Sequence, residues 1–471
     1  MNNSTSHRIE HDLLGDREIP SEAYYGVHTL RALENFDITG ISIAVYPDLI
    51  RALAQIKQAA AQANQRLGLL DATRTDAIVA ACKEVIDGQW HDQFVVDVIQ
   101  GGAGTSTNMN ANEVIANRAL ELLGHKKGDY AHLHPLNHVN MSQSTNDVYP
   151  TALRVATCLS IRALLSAMAG LREAFAAKAE EFKDVLKIGR TQLQDAVPMT
   201  LGQEFSTYAV MLHEDELRLG EAIALIREIN LGATAIGTGI NTDMRYSKLA
   251  IDHLSQLSGL DLAAAPNLIE ATQDCGAFVQ LSGVLKRVAC KLSKTCNDLR
   301  LLSSGPQAGL NEIHLPPRAA GSSIMPGKVN PVIPEVVNQI AFEVIGNDVT
   351  ITMAAEGGQL QLNAFEPIIA HSLFKSIEHL SAGCRTLTAH CVRGITANRE
   401  LLAERVRTSA GLATALNPYI GYENATRVAQ EALRTGRGVA ELVEEMGLME
   451  RAELDKVLAP AVLTAPRRHL S

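Results

Sequence analysis

The longest uninterrupted helical segment of the sequence limits the possible fold more than any other feature. Residues 151–182 contain no proline and a single glycine, Gly170. Large apolar side chains recur there at spacings of three, four and seven residues: Ile161, Leu164, Met168, Leu171, Phe175 and Phe182. This spacing places one narrow apolar stripe on a helix. At about 1.5 Å per residue the helix runs roughly 48 Å, so it must pack lengthwise against other long helices.

Four further segments are long, helical in composition and bounded by glycine or proline. They are residues 203–229, 273–303, 334–356 and 365–395. Five helices of this length pack nearly parallel or antiparallel, as a bundle. Aromatic residues make up only 4% of the chain. We therefore expect the bundle to leave apolar helix faces uncovered and to assemble with further copies of the chain.

The lengths of the predicted helices divide the chain into three α-helical domains. The helices are shorter before residue 144 and shorter again after residue 398. We predict an N-terminal domain at residues 1–143, a central domain of long helices at 144–398 and a small C-terminal domain at 399–471. We expect the two chain ends, including Arg467 and Arg468, to be loosely held.

Charge and composition argue against several classes of partner. The 471 residues include 42 basic and 52 acidic side chains, for a net charge of −10, which disfavours a nucleic-acid or anionic-membrane surface. No apolar run approaches the roughly 18–20 residues of a membrane helix. The N-terminus lacks the apolar core of a secretory signal. Seven cysteines without CxxC spacing indicate reduced core thiols in a cytoplasmic protein.

One polar loop combines the side chains that a reaction centre needs. Residues 321–331 read Gly-Ser-Ser-Ile-Met-Pro-Gly-Lys-Val-Asn-Pro. Glycine and proline prevent a helix here, and the segment is too polar for a buried strand. Serine, lysine and asparagine together can bind a carboxylate and move a proton. The alternative is a surface turn with polar residues.

Three other polar segments lie next to predicted helices. Residues 101–110 are rich in glycine and precede a helix that we place near Asn108, so exposed N–H groups there suit an anion. Residues 142–147 precede the first long helix, and residues 189–196 separate two long helices. The alternatives are a capping loop, an N-cap cluster and a polar turn between helices, respectively.

Two remaining segments favour structural interpretations. The glycines of residues 231–239 indicate tight turns and close backbone approach. Histidines are concentrated in residues 124–140: His125, His132, His134 and His138. A metal site there would need cysteine or acidic partners at ligand spacing, which we do not find in the pattern. We therefore predict a solvated loop and no metal site.

Taken together, the four polar segments resemble the signature segments of the aspartase/fumarase superfamily. Residues 321–331 are similar to its signature loop, residues 8–36 to its N-terminal region and residues 417–423 to the start of its C-terminal domain. The resemblance covers essentially the whole chain. It implies an all-α fold of three domains in a homotetramer. The central five-helix bundles would form a shared twenty-helix core, and each active site would draw on three subunits.

Three details of the sequence favour the branch of this superfamily that eliminates ammonia from L-aspartate. Residues 102–106 read Gly-Ala-Gly-Thr-Ser, residues 143–147 read Gln-Ser-Thr-Asn-Asp, and Gln192 follows Thr191. The resemblance implies a carbon–nitrogen lyase that forms fumarate reversibly, by anti-elimination through an aci-carboxylate. The alternative is a class II fumarase, which acts on malate. Fumarases and some ammonia-eliminating members have histidine at the position of Gln192, so Glu335 would lack its usual histidine partner.

The resemblance also assigns roles to individual side chains. Ser322 would be the catalytic base, and residues 320–330 would close over the substrate. The predicted substrate contacts are Thr105, Ser144, Thr145 and Ser323 for the β-carboxylate, Thr191, Lys328 and Asn330 for the α-carboxylate, Asn146 with Thr105 for the amino group, and Arg31 and Gln192 as further candidates. No cofactor is required, because the reaction involves neither redox nor electron-sink chemistry. A divalent cation is expected only as an effector. A non-catalytic structural role is the remaining alternative, and the presence of Ser322, Lys328 and Asn330 argues against it.

Overall fold

The computed structural model of the chain describes residues 6–466. The expectation for loose ends, including Arg467 and Arg468, falls outside these residues. The α-helices in the described part are α1 (Val27–Asn35), α2 (Pro47–Arg66), α3 (Ala72–Ile86), α4 (Thr105–Leu122), α5 (Thr145–Glu181), α6 (Leu201–Ile226), α7 (Tyr246–Ser258), α8 (Leu268–Gln273), α9 (Gly276–Leu302), α10 (Val332–Glu356), α11 (Glu366–His390), α12 (Arg399–Thr408), α13 (Leu412–Ile420), α14 (Tyr422–Thr435), α15 (Val439–Glu445), α16 (Arg451–Val457) and α17 (Pro460–Leu463).

The five predicted long helices are present as α5, α6, α9, α10 and α11, so the mostly α-helical fold is confirmed. The apolar stripe predicted on α5 is confirmed by burial. Its members Ile161, Leu164, Met168, Leu171, Phe175 and Phe182 are all at most 1% exposed. The heptad-like spacing therefore marks the buried side of this helix.

Helix α5 starts earlier than predicted, at Thr145, and contains Pro150. Proline has no N–H group, so the carbonyl of Asn146, four residues earlier, lacks its helical donor. The side-chain amide of Asn230 donates to that carbonyl at 3.0 Å. A distant side chain thus replaces the missing hydrogen bond, and the helix continues through the proline.

Short strands are the main departure from an all-α prediction. The described residues contain β1 (His7–Asp12), β2 (Gly15–Pro20), β3 (Leu186–Thr191), β4 (Gln194–Thr200), β5 (Glu228–Ile229), β6 (Ala263–Ala264), β7 (Ile313–His314) and β8 (Thr396–Ala397). Strands β1 and β2 form an antiparallel hairpin, and so do β3 and β4. Strands β5 and β6 pair in parallel, and β7 and β8 pair antiparallel.

The chain packs into two compact units that are interleaved along the sequence. Unit 1 comprises the residues up to Leu165, Leu217–Arg287 and Phe342–Leu380. Unit 2 comprises Ser166–Glu216, Val288–Ala341 and the residues from Ser381 onward. These units follow packing and not chain order, so the division into domains 1–143, 144–398 and 399–471 stays a prediction.

Unit 2 includes a small helical core close to the end of the chain. Helices α13 to α16 bury a cluster of apolar side chains that includes Leu416, Val428, Val439 and Leu454. Each of these four side chains is completely buried. The short C-terminal helices expected after residue 398 therefore have apolar packing of their own.

The burial of α5 bears on whether this helix could cross a membrane. Within the described residues, α5 is the one helix long and apolar enough to cross a membrane, but 61% of its apolar window is buried inside the fold. That is the behaviour of a core helix.

Six of the seven cysteines are buried, as predicted, whereas Cys290 is exposed. Burial raises the pKa of Cys158 to about 11, which keeps that thiol protonated and unreactive.

Candidate active site

The predicted site residues fall into two groups, one in each compact unit. Unit 1 contains Arg31, Thr105, Ser144, Thr145 and Asn146. Unit 2 contains Thr191, Gln192, Ser322, Ser323, Lys328 and Asn330.

In unit 1, Thr105 is the first residue of α4, three residues before the predicted helix start. The preceding Gly104 has a φ of 86°, and a Cβ atom there would lie 2.3 Å from the ring of Tyr149. Glycine is therefore required on two grounds. Thr105 is exposed, and its hydroxyl donates to the Gly102 carbonyl at 2.7 Å. A helix N-terminus suits a carboxylate, and the Thr105 hydroxyl would have to turn away from the Gly102 carbonyl to donate to one.

Ser144 caps the N-terminus of α5. Its Oγ accepts the N–H of Asn146 at 3.2 Å, and its own N–H donates to Asp147 Oδ1 at 3.0 Å. This is a capping box with aspartate in place of glutamate. The alternative of an N-cap cluster therefore holds for Ser144 and Asp147, while the side chains of Thr145 and Asn146 take no part in the capping.

Asp147 fastens the glycine-rich loop at residues 231–239 to the start of α5. Its Oδ2 accepts the N–H groups of Gly232 at 3.0 Å and Thr234 at 2.9 Å. Burial raises the pKa of Asp147 to about 6, against the lowering effect of these N–H donors. The same loop orients Asn146, whose Nδ2 donates to the Ala235 carbonyl at 2.8 Å. These contacts support the structural interpretation of residues 231–239, in which the glycines allow tight turns and close backbone approach.

A buried lysine that the sequence patterns did not single out supports Thr145. Lys57 is 0% exposed, and its Nζ donates to Asn108 Oδ1 at 2.7 Å, Gln143 Oε1 at 2.8 Å and Asn140 Oδ1 at 2.9 Å. Burial lowers the pKa of Lys57 to about 7. Asn108 in turn donates from Nδ2 to Thr145 Oγ1 at 3.0 Å. Because that oxygen accepts here, the Thr145 hydroxyl proton is left to be donated elsewhere.

Lys57 could have attracted attention in the sequence as a basic residue on an alanine-rich helix. Its neighbours in α2 include Ile56 and a run of three alanines, and most of this helix is buried. A lysine on a buried helix face needs acceptors for its N–H groups. The sequence does not reveal that three side-chain amide oxygens supply them.

Arg31 is held by a neighbouring carboxylate. Its Nε and Nη2 donate to the two oxygens of Asp12 at 2.7 and 2.6 Å, and Nη2 also donates to the Gly15 carbonyl at 2.9 Å. The hydrogen bonds from Arg31 lower the pKa of Asp12 to about 2. The charge of Arg31 is thus balanced by Asp12, and its substrate contact stays a prediction.

In unit 2, Thr191 and Gln192 lie at the tip of the hairpin formed by β3 and β4. The alternative interpretation of residues 189–196 was a polar turn between helices; the turn is present between α5 and α6, but as the tip of a β-hairpin. The two turn residues, Gln192 and Leu193, have φ values of 55° and 63°. Such values are typical of a two-residue hairpin turn but cost energy in residues other than glycine. Thr191 ends β3 and is exposed next to this strained turn.

A buried ion cluster holds the base of this hairpin. Glu312 is 1% exposed and contacts Lys187 at 2.8 Å, Arg190 at 2.5 Å and Arg405 at 3.3 Å. Burial by itself would raise the pKa of Glu312, but the nearby Arg190 and Lys187 cations outweigh it and lower that pKa. Since Arg190 directly precedes Thr191, the cluster restrains the backbone that carries the threonine.

Hydrogen bonds close the loop at residues 321–330 on itself. The Gly321 N–H donates to the Lys328 carbonyl at 2.7 Å, and Asn330 Nδ2 donates to the Gly321 carbonyl at 2.7 Å. A Cβ atom on Gly321 would lie 2.5 Å from the Lys328 carbonyl oxygen, so glycine is needed for this contact. Lys328 and Asn330 also line an open cavity of about 640 Å³, whose lining does not include Ser322 or Ser323.

Ser322 Oγ is an acceptor of two backbone hydrogen bonds. The N–H groups of Ile324 and Met325 donate to it at 3.1 and 2.8 Å. Ser323 is exposed beside it. Donors aimed at a hydroxyl oxygen stabilise a negative charge there. Glu335 lies in the first turn of α10, and its expected lack of a histidine partner stays a prediction.

One argument made from the sequence about the histidine-rich segment is wrong. We found no acidic partner at ligand spacing, but the fold brings Asp129 within 4 Å of both His125 and His132. The sequence did contain this spacing, because Asp129 is four residues after His125 and three before His132. It was overlooked because it differs from the ligand spacing of a regular zinc motif, and a turn brings the three side chains together.

Comparison with known families places the chain among the lyases. The profile of a family described as lyase matches residues 15–346, and that of the fumarase C C-terminus matches residues 412–465. Aspartate ammonia-lyase of Pseudomonas canavaninivorans is 61% identical, covering 99% of both chains. Aspartate ammonia-lyase of Escherichia coli K12 is 55% identical, covering 98% of this chain and 97% of the relative.

Solved structures of similar lyases also match this chain over nearly its full length. A fumarate lyase:delta crystallin from Brucella melitensis, bound to cobalt, has a TM-score of 0.96 and 56% identity, covering 98% of this chain and 100% of that chain. A class II fumarase from Schistosoma mansoni has a TM-score of 0.90 but only 37% identity, covering 97% and 98%.

The fold and the polar segments therefore define a lyase of the aspartase/fumarase superfamily. Within that superfamily the chain belongs to the aspartate ammonia-lyase family, and it is a carbon–nitrogen lyase. This family membership confirms the branch predicted from residues 102–106, residues 143–147 and Gln192.

Proposed function

We propose that the protein catalyses the reversible elimination of ammonia from L-aspartate to give fumarate. One observation carries the proposal: relatives named aspartate ammonia-lyase share 55–61% identity with this chain over nearly its full length. A class II fumarase is also similar in fold, but at 37% identity.

The reaction needs an array of fixed donors. The proton to be removed lies on the carbon next to the β-carboxylate and is weakly acidic. Its removal places a second negative charge on that carboxylate, as an aci-carboxylate. Preorganised hydrogen-bond donors are usually the largest catalytic contribution to stabilising such a charge. In our proposal the hydroxyls of Thr105, Ser144, Thr145 and Ser323 supply them.

Thr145 is well suited to this role because of its buried support. Its Oγ1 already accepts from Asn108, whose amide is oriented by Lys57. The hydroxyl proton is therefore directed away from Asn108 and is available to a carboxylate oxygen. A donor held in this way needs little reorganisation when the charge develops.

Ser322 is the proposed base. A serine hydroxyl is a poor base in water, so its alkoxide needs stabilisation. The N–H groups of Ile324 and Met325 already donate to Ser322 Oγ, and Lys328 adds a positive charge to the same loop. Closure of residues 320–330 over the substrate would exclude water and strengthen these interactions.

The α-carboxylate and the amino group take the remaining polar side chains. Thr191, Lys328 and Asn330 hold the α-carboxylate in our proposal, and Asn146 with Thr105 contacts the amino group. The Nδ2 of Asn146 is used by the Ala235 carbonyl, so its Oδ1 is the atom left to accept from an ammonium. Direct roles for Arg31 and Gln192 stay predictions.

We further propose a homotetramer in which each active site draws on three subunits. The support is an exposed apolar stripe on α10. Phe342, Val349 and Met353 are 63%, 57% and 68% exposed and recur at the spacings of a helix–helix seam. Large apolar side chains in such a row are normally covered by a partner. The protein would act in the cytoplasm without a cofactor, and a divalent cation would serve only as an effector.

The absorbance of fumarate tests the proposed reaction directly. The purified protein is incubated with L-aspartate and, separately, with malate. We expect fumarate to form from aspartate and only a trace to form from malate. Fumarate formation from malate at the higher rate would assign the protein to fumarase chemistry, and formation from neither would overturn the proposal.

A further inference from the structure

The turn that follows α4 brings together three side chains that the proposed reaction does not use. They are His125, Asp129 and His132. Backbone hydrogen bonds fix the turn: the N–H of His125 donates to the Leu120 carbonyl at 2.9 Å, and that of His132 donates to the Asp129 carbonyl at 3.1 Å. Gly124 and Gly128 have φ values of 83° and 85°, which allow the chain to fold back twice within this short stretch.

The distances between the three side chains match ligands of one ion. Asp129 Oδ2 lies 3.7 Å from His125 Nδ1 and 3.8 Å from His132 Nε2. One ligand atom from each residue falls within 4.8 Å of the other two. Distances of this size are too long for hydrogen bonds. They fit two ligand atoms that each lie about 2.0–2.2 Å from a shared metal ion.

The two rings lie side by side. The imidazoles are stacked, with centroids 3.8 Å apart and planes 12° apart, and an imidazole nitrogen binds a metal in the plane of its ring. A shared ion therefore requires one of these partly exposed rings to turn towards it. Arg74, which contacts this turn, is paired with Asp71 at 2.7 Å. Its Nε donates to the His132 carbonyl at 2.6 Å and so helps to hold the turn.

We propose that His125, Asp129 and His132 form a binding site for a divalent transition-metal ion such as Zn²⁺. Two imidazole nitrogens and one carboxylate oxygen are donors that suit zinc and its neighbours better than Mg²⁺ or Ca²⁺. The three side chains are 33%, 42% and 52% exposed, so water completes the coordination. The site does not depend on the proposed reaction. A bound metal ion would cross-link the three side chains and stabilise the turn between α4 and α5.

Zinc binding to chelator-treated protein tests the proposal. Thiols are zinc ligands and the Cys290 thiol is exposed, so all variants carry Cys290→Ser to remove this competing ligand. We expect titration calorimetry to give one Zn²⁺ per chain in this background. The substitutions His125→Ala, Asp129→Asn and His132→Ala should each weaken binding at least about tenfold, because each removes a ligand. Zinc should also raise the melting temperature of the parent more than that of these variants.

The matched control is another histidine–aspartate pair. His11 and Asp16 lie 2.7 Å apart on the surface. His11→Ala should therefore leave zinc affinity unchanged. Asp129→Asn preserves the size of the side chain, which guards against loss of folding. Unchanged zinc affinity and stoichiometry in Asp129→Asn and His132→Ala, or no stoichiometric zinc binding by the parent, would overturn the proposal.

Discussion

At the scale of single residues, buried polar side chains decide how the candidate site is oriented. Lys57 has no part in the sequence signature, yet it donates to three amide side chains and, through Asn108, orients Thr145. Ser322 was expected to need stabilisation, and two backbone N–H groups already donate to its Oγ. The residues named from the sequence therefore depend on partners that the sequence did not identify.

Ser322→Ala should lower turnover of L-aspartate by at least about 10²-fold, because general-base catalysis contributes about 10²–10⁴-fold. Substrate binding should change little, since the hydroxyl is not among the proposed carboxylate contacts. Initial rates of fumarate formation over a range of aspartate concentrations separate the two effects. Ser206→Ala, on the exposed face of α6, is the control. A Ser322→Ala variant with near-normal turnover would remove this residue as the base.

Lys57→Met should change the pH dependence of stability. A lysine in the unfolded chain keeps its proton up to about pH 10.5, whereas burial lowers the pKa of Lys57 to about 7. Between these values the unfolded state binds more protons, so stability rises with pH. The limiting slope from one such group is about 1.4 kcal/mol per pH unit. Lys57→Met should lose this slope.

The measurement for Lys57 is the free energy of unfolding in urea at pH 7, 8 and 9. Lys248→Met is the matched control, since the Lys248 side chain is 81% exposed and should leave the slope as in the parent. Parallel pH profiles for the parent and Lys57→Met would contradict the assignment of a lowered pKa to Lys57.

At the scale of secondary-structure elements, the helices followed from periodicity but their ends did not. Helix α4 begins at Thr105 because Gly104 adopts a positive φ against Tyr149. Helix α5 begins before Pro150 because Asn230 satisfies the carbonyl that proline leaves free. The hairpin of β3 and β4 was missed, because its turn consists of Gln192 and Leu193, which are unusual at positive φ. Helix ends and turns depend on contacts outside the local pattern.

Gly104→Ala should destabilise the start of α4. The substitution combines strain at a φ of 86° with a Cβ atom 2.3 Å from the Tyr149 ring. Strain of this kind alone costs about 1–3 kcal/mol, and the clash adds to it. Thermal unfolding should show the loss, and aspartate turnover should fall because Thr105 is displaced.

Gly68→Ala separates the two contributions to that loss. Gly68 has a φ of 75°, and a Cβ atom there would have nothing within 4 Å. This variant should therefore lose only the strain contribution and keep normal turnover. Equal loss of stability in both variants would argue against the contact with Tyr149 as a cause.

At the scale of the whole molecule, the long helices have a buried side and an uncovered side. The stripe from Ile161 to Phe175 on α5, together with Phe182 just after the helix, is buried within the chain, whereas Phe342, Val349 and Met353 on α10 are exposed. An exposed apolar row of this kind supports the proposed tetramer. The candidate residues are divided between the two compact units.

Met353→Lys should weaken the tetramer, because it places a charge within the proposed helix seam. Light scattering coupled to gel filtration should show smaller species than in the parent, and turnover should fall with the loss of assembly. Leu433→Lys is the control, since Leu433 is a 77% exposed apolar residue on α14, outside the stripe. A parent that is monomeric, or a Met353→Lys variant of unchanged mass, would contradict the proposal.

The sequence by itself determined the long helices, the buried stripe of α5 and the superfamily. Apolar periodicity and short motifs are local properties, and they can be read without knowing which segments meet. Only the tertiary structure decided that Lys57 reaches Asn108, Asn140 and Gln143, which lie 51, 83 and 86 residues away. It also decided that Asp129 faces two histidines. Burial, hydrogen-bond partners and shifted pKa values arise from contacts between distant segments, and no local pattern encodes them.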